Sequence, residues 1–158
     1  MVGETHLVNA LKEKGLTVST AESLTAGMVA STIVKVPGAS AVFKCGFITY
    51  ASATKISVLE VPSELVAEKG VVSAEVAAAM AEGACKVGET NVGISTTGNA
   101  GPDVLENKPV GRVYTAICIN GVTTVTEHNF SGDRESIRRQ TTNAAIRECA
   151  NRVAEFAG

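Results

Sequence analysis

Leu16-Thr17-Val18-Ser19-Thr20-Ala21-Glu22-Ser23-Leu24-Thr25-Ala26-Gly27 is the stretch on which the fold turns. Leu16 to Thr20 is short and β-leaning, and it runs into a polar turn that ends in a glycine. Met28 to Val36 then reads as a helix, stopped by Pro37-Gly38. Strand, polar turn and helix in that order form the building unit of an α/β protein. Upstream, Leu7, Val8 and Leu11 recur at helical spacing until Gly15, so an amphipathic helix precedes the strand.

The same reading extends downstream. Ala41 to Tyr50, rich in Val, Phe and Ile, predicts a strand, and Ala51 to Leu59 a short helix. Pro62 suits the first turn of another helix, ending near Gly70. Ser73 is placed to cap an alanine-rich helix that runs to about Val87. Asn91 to Thr97 reads as a strand leading into the loop Gly98-Asn99-Ala100-Gly101-Pro102. Val110 to Ile119 and Val122 to Phe130 are β-rich and flank Asn120-Gly121, a strong hairpin signal. Ser131-Gly132-Asp133 caps a final helix through Ala157. The order predicts a three-layer α/β/α sandwich with a mixed, mostly parallel sheet that includes an antiparallel hairpin strand. Without an internal repeat, linker or low-complexity tract, residues 1–158 read as a single domain.

Composition narrows the function classes. A hydrophobic fraction of 45% and a charged fraction of 19% describe a globular chain. A net charge of −2, with basic residues spread along the sequence and no Trp, argues against a nucleic-acid partner. The N-terminus lacks the basic-then-apolar plan of a signal peptide, and no apolar run approaches the roughly 20 residues needed to span a bilayer. A cytoplasmic protein without a membrane partner is expected. Cys45, Cys85, Cys118 and Cys149 are scattered and read as small hydrophobes. His6 and His128 stand at no ligand spacing from them, so no metal is expected.

Ligands in open α/β sheets bind at the carboxyl ends of strands. Ala21–Gly27, Phe47–Lys55 and Thr96–Pro102 meet that description, and Ser131–Arg134 opens the last helix. Ser23 lies at a strand-to-helix turn, where free N–H groups of the first helical turn could hold an oxyanion. Ser23 or Thr25 would equally serve as a plain helix cap. Lys55 could act as a general base if burial lowers its pKa, or could be a solvated surface lysine. Tyr50 reads as core with a wet hydroxyl. Glycines of the Thr96–Pro102 stretch suit either a tight turn or a ligand. Arg134, in the first turn of the last helix, could clamp a phosphate or be an exposed arginine of a capped helix. Arg138 and Arg139 read as solvated.

Seven blocks in order resemble the C-terminal domain family of the competence/damage-inducible protein CinA, which includes stand-alone nicotinamide mononucleotide amidases. They are Thr20-Ala21-Glu22-Ser23-Leu24-Thr25, Val36-Pro37-Gly38-Ala39-Ser40, Gly46-Phe47-Ile48-Thr49-Tyr50 with Lys55, Gly70-Val71-Val72-Ser73, Thr97-Gly98 with Ala100-Gly101-Pro102, Lys108-Pro109-Val110-Gly111 and Phe130-Ser131-Gly132-Asp133-Arg134. The resemblance covers nearly the whole chain. It implies a three-layer α/β/α fold and hydrolysis of nicotinamide mononucleotide to nicotinate mononucleotide and ammonia, without a cofactor. It also implies Ser23 as nucleophile, Lys55 as base and Tyr50 as an orienting or proton-relaying group. Thr97 and Arg134 match positions expected to contact the nucleotide, with Thr25, Gly27, Gly98 and Gly101 around them. The chain departs from the family pattern at Ala26, where a second glycine is usual, and at Asn99, where an aliphatic residue is usual. The loop Asp103-Val104-Leu105-Glu106-Asn107 also replaces a glycine-rich one. A nucleotide-binding module with weak catalysis, or an amidase for another small carboxamide, are the alternative readings. The N-terminal domain of many relatives, and its activity, are expected to be absent, and a homo-oligomer is left open.

Overall fold

The computed structural model describes residues 2–157. Six helices and five strands follow in the order α1 (Val2–Lys14), β1 (Val18–Glu22), α2 (Met28–Val34), β2 (Phe43–Ile48), α3 (Ser52–Leu59), α4 (Ser63–Lys69), α5 (Ala74–Gly88), β3 (Val92–Gly98), β4 (Arg112–Ile119), β5 (Val122–Asn129) and α6 (Arg134–Glu155). Every predicted element is present. Helix α2 stops two residues early, and β2 begins two residues late because a single 3₁₀ turn takes Ala39–Ala41.

The strands form one mixed sheet in the order β2-β1-β3-β4-β5. β1 pairs with β2 and β3 in parallel, and β4 pairs with β3 and β5 antiparallel. The predicted mixture is therefore evenly split by pairing, although β4 alone runs against the other four strands. Asn120 and Gly121 both take left-handed φ values, 46° and 86°, and bring Ile119 opposite Val122. That is the turn geometry the Asn-Gly pair favours.

Two helical layers cover the sheet. Helices α1, α2 and α6 pack on one face around Leu7, Leu11, Val18, Ile94, Ile117 and Ile146. Helix α5 lies across the other face, with α3 and α4 against it. Its close seat depends on bare backbone: a Cβ on Gly93 of β3 would strike the Ala81 carbonyl, and one on Gly83 would strike the Leu59 carbonyl. Ser73 caps α5 by accepting Val76 N–H at 3.2 Å, and Asp133 caps α6 by accepting Ser136 N–H at 2.8 Å. Cys118 and Cys149 are buried, Cys45 and Cys85 half-buried, and all four are free thiols. Among the described residues, no helix is long and apolar enough to cross a membrane.

Candidate active site

The three parallel strands end side by side, so the turns after β1, β2 and β3 converge on one rim of the sheet. Ser23 follows β1 directly, and its N–H donates to Thr96 O at 3.1 Å, which fixes the turn to the end of β3. Lys55 stands in the first turn of α3, after β2, and is fully buried. Its Nζ lies 3.0 Å from Ser23 Oγ, 2.7 Å from Thr49 O and 3.2 Å from Tyr50 O. Burial lowers the Lys55 pKa to about 8, and the Glu106 carboxylate pulls weakly the other way. The solvated-lysine reading is thus overturned.

This geometry suits an amine that acts as a base. Neutral Lys55 has two N–H groups and one lone pair. The Thr49 and Tyr50 carbonyls take the two N–H groups, which leaves the lone pair for the Ser23 hydroxyl. The same carbonyls then stabilise the ammonium once the proton has moved.

The predicted oxyanion donors need correction. Glu22, almost fully buried, accepts N–H groups from Gly27 at 3.1 Å, Val29 at 2.9 Å and Ala30 at 3.0 Å, and the Thr25 hydroxyl at 2.6 Å. A carboxylate at a helix N-terminus satisfies the exposed amides and the dipole together. The first turn of α2 is therefore already occupied. The amides of Leu24 and Thr25, immediately after Ser23, have no acceptor among the described residues and are the donors available.

A cavity of about 130 Å³ opens beside Ser23. Thr97, Gly98 and Arg134 line it, as do Tyr50, Asn99 and Leu105. Three predicted contacts are not at this cavity. Thr25 is buried with its hydroxyl spent on Glu22 and Thr96, 2.8 Å away, so it braces the turn. Gly27, at φ 98°, faces a separate groove with Ala26 and Lys35. Gly101 is buried; its N–H donates to Asn99 Oδ1 at 2.9 Å and its carbonyl accepts from Arg134. Ala26 also stands outside the cavity, so its extra methyl strains the backbone at φ 45° rather than crowding a ligand.

Arg134 donates to Gly101 O and, at 2.8 Å, to the Tyr50 hydroxyl, and has no acidic partner among the described residues. The Tyr50 side chain is largely exposed. Its phenol contacts Arg134 instead of Ser23 or Lys55, and only its carbonyl reaches the amine. Thr97 is buried and its hydroxyl donates to Val71 O at 2.8 Å. Arg138, expected to be solvated, instead donates to Leu24 O at 2.8 Å and holds the nucleophile turn from α6, while Arg139 is exposed. Glu22 carried a readable signal, an acid just before a helix start. Arg138 carried none, since its partner is a carbonyl 114 positions away.

A putative competence-damage inducible protein of Alkaliphilus oremlandii is 46% identical over 154 residues, spanning 94% of this chain and 37% of that one. One from Clostridium perfringens strain SM101 is 49% identical over 132 residues, spanning 83% and 32%. The chain thus matches about a third of the length of these relatives. A CinA superfamily structure from Klebsiella pneumoniae superposes with a TM-score of 0.95 at 27% identity, covering 98% of each chain. The competence/damage-inducible protein structure of Agrobacterium tumefaciens does so at 0.92 and 33%, covering 98% and 94%. The family model for the CinA C-terminal domain matches residues 3–153, and the chain belongs to that family.

Proposed function

We propose that the protein is an amidohydrolase that opens a carboxamide through Ser23 and Lys55, with nicotinamide mononucleotide as substrate. The observation that carries this reading is the buried amine of Lys55, 3.0 Å from the Ser23 hydroxyl at the rim of the sheet. Ser23 Oγ attacks the carboxamide carbon while its proton passes to Lys55 Nζ. The carbonyl oxygen, now negative, takes N–H groups of Leu24 and Thr25. Lys55 returns the proton to the departing nitrogen, the C–N bond breaks, and ammonia leaves an acyl ester on Ser23. Water activated by the regenerated amine hydrolyses that ester and frees the carboxylate. Arg134 supports the nucleotide assignment, because a guanidinium lining the cavity with no acidic partner among the described residues suits a phosphate.

Ammonia release from nicotinamide mononucleotide tests the reading. Wild type is expected to release it, and Ser23→Ala to lose at least about a thousandfold in kcat. Wild type that binds the nucleotide and releases no ammonia would make the domain a binding module instead.

A further inference from the structure

The segment between Pro102 and Pro109 belongs to no helix or sheet, yet it is fixed at several points. Lys108 N–H donates to Leu105 O at 2.8 Å, closing an isolated bridge around Glu106 and Asn107, at φ 54° and 59°. The Glu106 carboxylate accepts the amides of Val71 at 3.0 Å and Val72 at 2.9 Å. The Lys108 ammonium donates to Val72 O at 3.0 Å, and Asn99 Nδ2 donates to Lys108 O at 3.3 Å. Asn99, one departure from the family pattern, is therefore tied to the residue that closes the altered loop of Asp103–Asn107.

Ordering an exposed loop loses conformational entropy, so several ties on one short segment point to a held position. The position held is that of Leu105. Its side chain is half-exposed and lines the cavity with Val71, while Thr97 anchors Val71 from beneath. Leu24, buried against Ala100, Val113 and Ile137, adds a third apolar residue to the lining. At about 130 Å³ the cavity is below the range for drug-sized ligands. It fits one ring, with the rest of a nucleotide reaching out toward Arg134.

We infer that residues 103–108 form a latched strap that selects ring-borne over aliphatic carboxamides, with Leu105 as the apolar wall against the ring and Glu106 as the clamp that positions it. The inference rests on the amidase reading and adds to it the residues that set the substrate preference. Glu106 is a positioning residue, and it leaves a second mark. It is the charged group that raises the Lys55 pKa, whose other polar neighbours are Ser23 and the Thr49 and Tyr50 carbonyls. Removing its charge moves the acid limb of the pH–rate profile to lower pH.

Initial rates with nicotinamide mononucleotide and propionamide, for wild type, Leu105→Ala and Glu106→Gln, decide the matter. Leu105→Ala is expected to lower kcat/KM for the nucleotide about tenfold more than for propionamide, chiefly through KM, with the acid limb in place. Glu106→Gln is expected to reduce the same preference and shift the limb. Equal losses on both amides, or a change within twofold for the nucleotide, overturn the strap and leave the amidase standing. Where wild type leaves propionamide intact, the KM of Leu105→Ala for the nucleotide decides alone. Where wild type turns over neither amide, calorimetric titration with the nucleotide replaces rates. Binding weakened at least fivefold by Leu105→Ala then keeps Leu105 as the apolar wall against the ring and sinks the amidase together with the carboxamide selectivity, whereas binding left within that margin, or none by wild type, sinks the wall as well.

Discussion

Lys55 and its three oxygen neighbours set the chemistry at the residue scale. With a pKa of about 8, roughly one molecule in ten carries the neutral amine at pH 7. A base must be unprotonated, so kcat/KM is expected to rise with pH on a limb centred near 8 and to level off above it. Initial rates from pH 6 to 10 check this, and a limb centred above 10 would mean an unperturbed lysine. Lys55→Arg keeps the charge and removes the base, because a guanidinium stays protonated. A loss of about a hundredfold to ten-thousandfold is expected in kcat, measured as ammonia release. Activity near wild type in that variant would reduce Lys55 to an electrostatic role. Glu22 shows a different use of charge. Its four donors come from the turn and the start of α2, and it shapes the turn that carries Ser23.

At the scale of elements, the turn from β1 into α2 is held from three directions: Glu22 within the turn, Thr96 from β3 and Arg138 from α6. Such bracing limits drift of the nucleophile relative to α3, where its base is mounted. Ala26 is the strained member of this turn, an exposed non-glycine residue at φ 45°. Ala26→Gly is expected to raise stability by about 0.5–1 kcal/mol, read as a higher urea midpoint with an unchanged m-value. A lower midpoint would show that the backbone there carries no strain. Helix α5 was legible from its Ser73 cap and alanine content, and the hairpin from Asn120-Gly121, since both signals are local. The early stop of α2 was not, because a 3₁₀ turn at Ala39–Ala41 reorganises the approach to β2.

For the whole molecule, burying Lys55 links stability to pH. The folded state holds this proton less tightly than the unfolded chain, with a pKa of about 8 against 10.5. Between those values the unfolded state binds more protons, so the contribution of Lys55 to stability rises with pH and is at its least favourable below 8. Relative to Lys55→Met, wild type is expected to gain roughly 2–3 kcal/mol between pH 8 and 10.5. Denaturant melts of both proteins at the two pH values measure the difference, and a constant gap would show that the amine stays hydrated. The chain also matches about a third of the length of its curated relatives, so the rim described here belongs to a domain that recurs within longer proteins. By itself the sequence determined the order of helices and strands, the caps, the hairpin and the family blocks, because periodicity and turn chemistry act between near neighbours in the chain. Only the tertiary structure decided that Ser23 and Lys55, 32 positions apart, share a hydrogen bond, and that Glu22 consumes the amides of α2. It also decided that the lysine loses its water, since burial and distance arise only when separate segments pack together.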